Sequence, residues 1–206
     1  MNATLPESAQ PVFEEDQARA DLYALIARLF YAGPDAKLLA AIAGADEIAG
    51  EDETTSLAVA WKALGAAAAA MEAEAAREEY DHVFVGTGKA EITPYASHYL
   101  AESMQERVLV RLRGTLAEMR LAKNQSAAEY EDHFSGLCEV MRHLAVLGSD
   151  NVAVRKQKSF FLEYLCPWYA LFCAAVSTSP NTIFYKHVAV LTKAFLDVEK
   201  DSFELI

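Results

Sequence analysis

Glu129-Tyr130-Glu131-Asp132-His133-Phe134-Ser135-Gly136-Leu137-Cys138-Glu139-Val140-Met141 runs from an acidic lead-in through an Asp-His pair into a helix-period apolar pattern. Leu137, Val140, Met141, Leu144 and Leu147 recur at the spacing of one helix face, and His133 falls on that stripe one turn earlier. The pair therefore stands at or near a helix N-terminus. Main-chain N–H groups there lack intrahelical partners, so Asp132 is expected to cap them, with His133 at the core edge.

The same period extends outward in both directions. Toward the N-terminus, Leu22, Leu25, Ile26 and Leu29 mark a first helix from about Asp16 to Tyr31, stopped by Gly33-Pro34. Asp35 is placed to cap a short second helix with Leu38, Leu39 and Ile42, and an acidic loop follows from Gly44 to Thr55. A third helix beginning near Thr54 carries Leu57, Trp61, Leu64 and the run Ala66–Ala70, a strong helix former whose small side chains allow close packing. Helical character continues from Glu72 to Val85 and ends at Gly86-Thr87-Gly88. Thr93-Pro94 reads as extended, and a long helix starting near Ser97 places Met104, Val108, Leu112, Leu116 and Met119 on its buried stripe.

Lys123-Asn124-Gln125-Ser126 separates an N-terminal half from a C-terminal half. Beyond Gly148, Asp150 or Asn151 caps a helix that Pro167 breaks or kinks, and Trp168, Leu171, Phe172 and Val176 continue in a second apolar helix. Ser179-Pro180 signals the start of a final helix with Phe184, Val188, Leu191, Phe195 and Val198 inside. The reading is an all-α fold: one globular bundle of about nine to ten helices in two loosely defined halves. Residues 1–14 form a flexible arm, 15–123 the first half and 124–206 the second, all as one compact unit.

Composition narrows the function classes. The 206 residues are 53 % hydrophobic, enough for a substantial core. A formal net charge of −12 disfavours a nucleic-acid backbone as partner and suits a cationic one. Three cysteines without a CxxC pair indicate neither a disulfide framework nor a cysteine-rich zinc site. Met1–Gln17 lacks the basic and apolar regions of a secretory signal, and the uncharged stretch from Tyr164 to Tyr185 is interrupted by Pro167, so a cytoplasmic protein without membrane insertion is expected.

The five histidines, His82, His98, His133, His143 and His187, fit neither an HExxH motif nor a paired Glu-x-x-His pattern, and no metal or other cofactor is indicated. A nucleotide at Gly86-Thr87-Gly88 lacks the preceding strand and the GKS/T or GxGxxG pattern, although a small helical nucleotide-binding protein or enzyme remains open, as does a generic helical adaptor. The mixture of Tyr80, Phe84, Tyr95, Tyr99, Asp132, His133, Phe160 and Trp168 suits a groove for an apolar helical peptide with a cationic end, about half of these aromatics serving packing alone.

Glu79-Tyr80-Asp81-His82-Val83-Phe84-Val85-Gly86-Thr87-Gly88 and Thr93-Pro94-Tyr95-Ala96-Ser97-His98-Tyr99-Leu100 together resemble the first sequence block of the TorD/DmsD/NarJ chaperone family. Glu129 to Met141 resembles its E-P-x-D-H block, with Tyr130 in place of proline, and Phe160–Leu165 with Trp168 is similar to an aromatic third block. The resemblance implies an all-helical, non-enzymatic cytoplasmic chaperone. It would bind the twin-arginine leader peptide and the apo-form of a molybdopterin-containing oxidoreductase, assisting cofactor insertion and delaying export. By position, Asp132 and His133 match the family's Asp-His signature, and Tyr95, Ser97 and Tyr99 its Y-x-S-x-Y element. A leader with two adjacent guanidinium groups needs carboxylates beside an apolar groove. Asp132 is the first candidate, His133 its orienting partner, and Glu79 and Glu129 second-line carboxylates, with Phe84 and Trp168 completing the expected peptide-binding set. A hinge near Lys123 to Glu129 would permit a domain-swapped dimer of an otherwise monomeric protein.

Overall fold

Local capping signals account for several of the helix starts. In a computed structural model that describes residues 13–46, 54–100, 105–122, 129–148 and 150–206, Asp35 accepts from the Leu38 N–H at 2.7 Å and opens α2 (Ala36–Ala43). Thr55 caps α3 (Ser56–Ala70) through Ala58, and Asp150 caps α8 (Asn151–Tyr164) through Val152 and Ala153. The other described helices are α1 (Glu14–Tyr31), α4 (Ala73–Tyr80), α5 (Ala96–Tyr99), α6 (Gln105–Glu118), α7 (Phe134–Val146), α9 (Tyr169–Thr178) and α10 (Tyr185–Glu204). The fold is all-α, with no strand among the described residues. The expected arm is described only at Phe13 and Glu14, the latter helical; most of the acidic loop, Met104 and the Lys123–Ser126 boundary fall outside the described residues.

Segments on both sides of residues 123–128 build one core. Helix α1 lies along α7, α10 packs on α9 and α3, and α2 covers α3. Phe30 of α1 sits at the centre, with ring centroids 5.7 Å from Phe84, 5.2 Å from Phe134, 5.0 Å from Phe172 and 6.1 Å from Tyr185. These rings belong to four other segments, so one aromatic residue joins most of the bundle.

Several expected boundaries move. The helical run after Ala70 is interrupted at Met71-Glu72, then resumes as α4 and a π-turn over Asp81–Val85. Gly86 ends that turn at φ +64°, and a Cβ there would meet the Lys89 carbonyl oxygen at 2.3 Å. A side chain is excluded by chain reversal alone, which accounts for the glycine. The long helix expected from Ser97 is split into α5 and α6, since Leu100 is extended. Pro167 breaks α8 from α9 at a 56° bend, and no single described helix is long and apolar enough to cross a membrane, although the bent pair together has that length and composition.

Three residues expected inside are not: Leu147, Leu171 and Val198 are exposed. Leu147 lies beyond the last turn of α7, and Leu171 faces away from Phe172 on α9. On α10 the buried position next to Val198 is Glu199, whose carboxylate accepts from Arg19 at 2.7 and 2.8 Å and from the Tyr23 hydroxyl at 2.9 Å. Those bonds replace the water that the charge loses on burial.

The final helix starts five residues later than Pro180 suggests. Its N–H groups at Ile183, Phe184 and Tyr185 all donate to the Glu79 carboxylate, at 3.0, 3.0 and 2.8 Å. Ser179 instead donates to Glu91 at 2.6 Å. Glu79→Ala should therefore lower stability by about 1 to 2 kcal/mol, the cost of a lost helix cap, read as a lower urea midpoint. An unchanged midpoint would contradict the capping role.

Candidate functional site

The two sequence blocks that stand apart in the chain meet in space. The Ala96 N–H donates to the Asp132 carbonyl at 3.0 Å, the Phe134 N–H to the Pro94 carbonyl at 2.8 Å, and Tyr95 and His133 form an isolated antiparallel bridge. Asp132, 1 % exposed, turns its carboxylate across this seam and accepts from the Ser97 N–H at 3.0 Å. It therefore caps α5, not α7. The reason is register: His133 is the residue preceding α7, and its Nδ1 accepts from the Ser135 N–H at 3.2 Å, whereas Asp132 stands one residue too early to reach its own helix.

Burial changes what this pair can do. An external guanidinium has little access to a carboxylate that is covered and already bonded to a main-chain donor, so Asp132 is suited to holding the two segments together. Asp132→Ala should cost about 2 kcal/mol by orphaning the Ser97 N–H, measured as a fall in the denaturation midpoint. Asp132→Asn, which keeps an acceptor, should recover part of it. Equal midpoints for all three proteins would contradict the assignment.

His133 is 3 % exposed, and desolvation pushes its pKa down to about 4 in spite of the nearby Glu129 and Asp132 charges. The imidazole is therefore neutral near pH 7. Since Nδ1 is an acceptor, Nε2 carries the proton.

Tyr95 is the link to the surface. Its ring packs edge-on against His133 at 4.9 Å, and its hydroxyl donates to the Glu129 carboxylate. Burial and the adjacent Glu129 charge raise the phenol pKa, keeping the donor protonated. No cation among the described residues pairs with Glu129.

Glu129 and His133 both border a cleft of about 470 Å³ between α1, the end of α6 and α7. Its apolar wall comes from Ala27, Leu116, Leu121 and Val140, and its polar rim from Glu129, Glu131 and Glu139 with Arg28 and Arg142. Arg142 donates to Glu139 at 2.9 Å, within the same helix. Gly136 belongs to the α7 wall, where a Cβ would lie 3.3 Å from the Glu131 carbonyl oxygen, so the loop passes close over the helix.

The other expected site residues are distributed differently. Tyr99 is half-buried and stacks on Trp168 at 5.0 Å; Trp168 is 1 % exposed and donates from Nε1 to the Tyr164 carbonyl at 2.7 Å. Phe84 is in the core beside Phe30, and Glu79 is engaged at α10. Asp132, His133, Tyr95 and Ser97 form one cluster with Glu129, while Phe84, Trp168 and Glu79 do not reach the cleft. Sequence reading passed over Arg28, Tyr31 and Glu131. Each is an exposed or half-covered side chain with no periodic signature, and only the folding of α1 against α7 brings them together. Among the described residues, no group of three or more His, Cys, Asp or Glu side chains is placed to hold a metal ion.

The seam and the cleft both lie within or beside the stretch that matches known proteins. Residues 51–174 match the family described as nitrate reductase delta subunit, which is more than half of the chain. The chain belongs to this family. A curated relative, the chaperone protein TorD of Pasteurella multocida (strain Pm70), is 27 % identical over 122 residues. That alignment covers 59 % of this chain and 60 % of the relative's length. The matched range of the delta-subunit family takes in Glu79, the Pro94–Ser97 segment, the Asp-His pair and Trp168, so both sides of the seam lie inside it, whereas Phe30 does not. Helices α1, α2 and α10 lie outside.

Proposed function

We propose that this protein is a cytoplasmic chaperone for the maturation of a molybdopterin-containing oxidoreductase. It binds the enzyme's twin-arginine leader and apo-form, assists cofactor insertion and delays export. The cleft between α1 and α7 takes the leader.

The observation that carries this reading is a carboxylate that pairs with no cation among the described residues, beside an apolar wall. Glu129 is held by the Tyr95 phenol, a neutral donor that fixes its direction without cancelling its charge. A leader guanidinium supplies a cation for Glu129, and the leader's apolar stretch covers Ala27, Leu116, Leu121 and Val140. Tyr95 is then a positioning residue for Glu129, and the neutral His133 Nε2–H is a donor suited to peptide carbonyls. Asp132, Ser97 and Glu79 maintain the scaffold. Family membership and the TorD relative support the chaperone class, and the glycines at the π-turn need no nucleotide to explain them.

Calorimetric titration with a synthetic twin-arginine leader tests the proposal. The leader should bind, and a leader with both arginines replaced by glutamine should bind at least about tenfold more weakly, the loss of one to two charge-assisted contacts. Equal affinities would contradict it.

A further inference from the structure

Arg113 of α6 donates from Nε and Nη2 to the two oxygens of Glu131, each at 3.0 Å. The arginine side chain is 52 % exposed and the glutamate side chain 16 %. Glu131 borders the same cleft as Glu129, two residues further along, with exposed Tyr130 between them. A bidentate fork on a carboxylate is the geometry in which guanidinium groups are generally recognised. Glu131 thus already holds a guanidinium, one supplied by the chain itself.

Resting on the leader-binding reading above, we infer that Arg113 is an internal stand-in for one arginine of the leader. One leader guanidinium pairs with Glu129, and its neighbour displaces Arg113 from Glu131. The exchange replaces one fork by another and leaves the displaced Arg113 half in water, where its solvation is readily restored. Two consequences follow for recognition. Affinity gained at Glu131 is attenuated by the internal competitor, so Arg113 sets how tightly the leader is held. A lysine cannot reproduce the fork, so this position selects arginine over lysine.

The test is a titration of the wild type, Arg113→Gln, Glu131→Gln and the double variant. The ligands are a twin-arginine leader and two leaders in which each arginine in turn is glutamine. Arg113 is half-exposed, and the fold of each variant is checked by circular dichroism and its melting midpoint. Arg113→Gln should bind the twin-arginine leader about two- to fivefold more tightly, the scale of an exposed ion pair. That gain should vanish in the double variant and for one of the two single-arginine leaders. A general loosening of α6 would change affinity for all three peptides alike and would overturn the inference. Wild-type binding with no gain in Arg113→Gln would also overturn it while leaving the leader-binding reading intact. Failure of every protein to bind any leader would remove that reading and this one together.

Discussion

Phe30→Ala should destabilise the protein by about 3 to 5 kcal/mol, the range for deleting a fully buried phenylalanine. Phe30 is 1 % exposed and meets Phe84, Phe134, Phe172 and Tyr185, rings carried by the π-turn, α7, α9 and α10. Collapse around the cavity is restricted because two of those partners are tied by hydrogen bonds: Tyr185 donates to the Leu29 carbonyl at 2.8 Å, and Phe134 opens α7 with its N–H fixed on Pro94. Urea denaturation followed by far-ultraviolet dichroism should show the loss, with roughly half of it recovered in Phe30→Leu, which keeps most of the volume. A loss under about 1 kcal/mol for the alanine variant would mean that the ring cluster is not the structural centre.

Acid should remove about 3 kcal/mol through His133 alone. In the unfolded chain an imidazole titrates near 6.5, while in the fold burial holds His133 at about 4. Below pH 6.5 the unfolded chain takes up the proton first, so the contribution is complete above 6.5. It falls as the pH drops toward 4 and changes no further below that. Two and a half pKa units at 1.36 kcal/mol each set the size. Carboxylates that bind in their charged form also lose stability in acid: Glu91, held down by Ser179 and Asn181, and Asp150, held down by Ala153 and Val152. The variant His133→Asn isolates the histidine, since asparagine is a good N-cap that does not titrate. Its stability should fall less steeply than the wild type's between pH 6.5 and 4. Parallel curves would contradict a buried neutral His133.

Helix periodicity made the bundle readable, and short-range capping made several of its starts readable. Asp35, Thr55 and Asp150 each bond N–H groups within three residues, a distance over which sequence carries the pattern directly. Asp132 and Glu79 look like the same kind of residue but cap helices 35 and about 105 residues away. Nothing in local spacing distinguishes a carboxylate that turns back on its own helix from one that crosses to another. For the same reason Ser179-Pro180 resembled a helix start although the N-terminal donors of α10 are satisfied by Glu79. Glu199 was hidden by its charge: its burial depends on Arg19 and Tyr23 arriving from the opposite end of the chain.

The resemblance over Glu79–Leu100 and Glu129–Met141 pointed to the correct family, and the structure supplies a physical reason why the two blocks occur together. Pro94 to Ser97 and Asp132 to Phe134 are hydrogen-bonded to each other, so neither segment adopts its conformation alone. What the resemblance left open is which carboxylate meets a ligand. Asp132 is spent on the seam, whereas Glu129, partly exposed at the cleft and directed by Tyr95, keeps its charge available.

The most direct measurement compares a twin-arginine leader titrated into the wild type and into Glu129→Gln. Glutamine retains the size and an acceptor for Tyr95 but not the charge, so the melting midpoint should stay within a degree or two while affinity falls about tenfold. Wild-type binding accompanied by undiminished binding in Glu129→Gln would contradict the assignment of this cleft carboxylate to the leader's guanidinium.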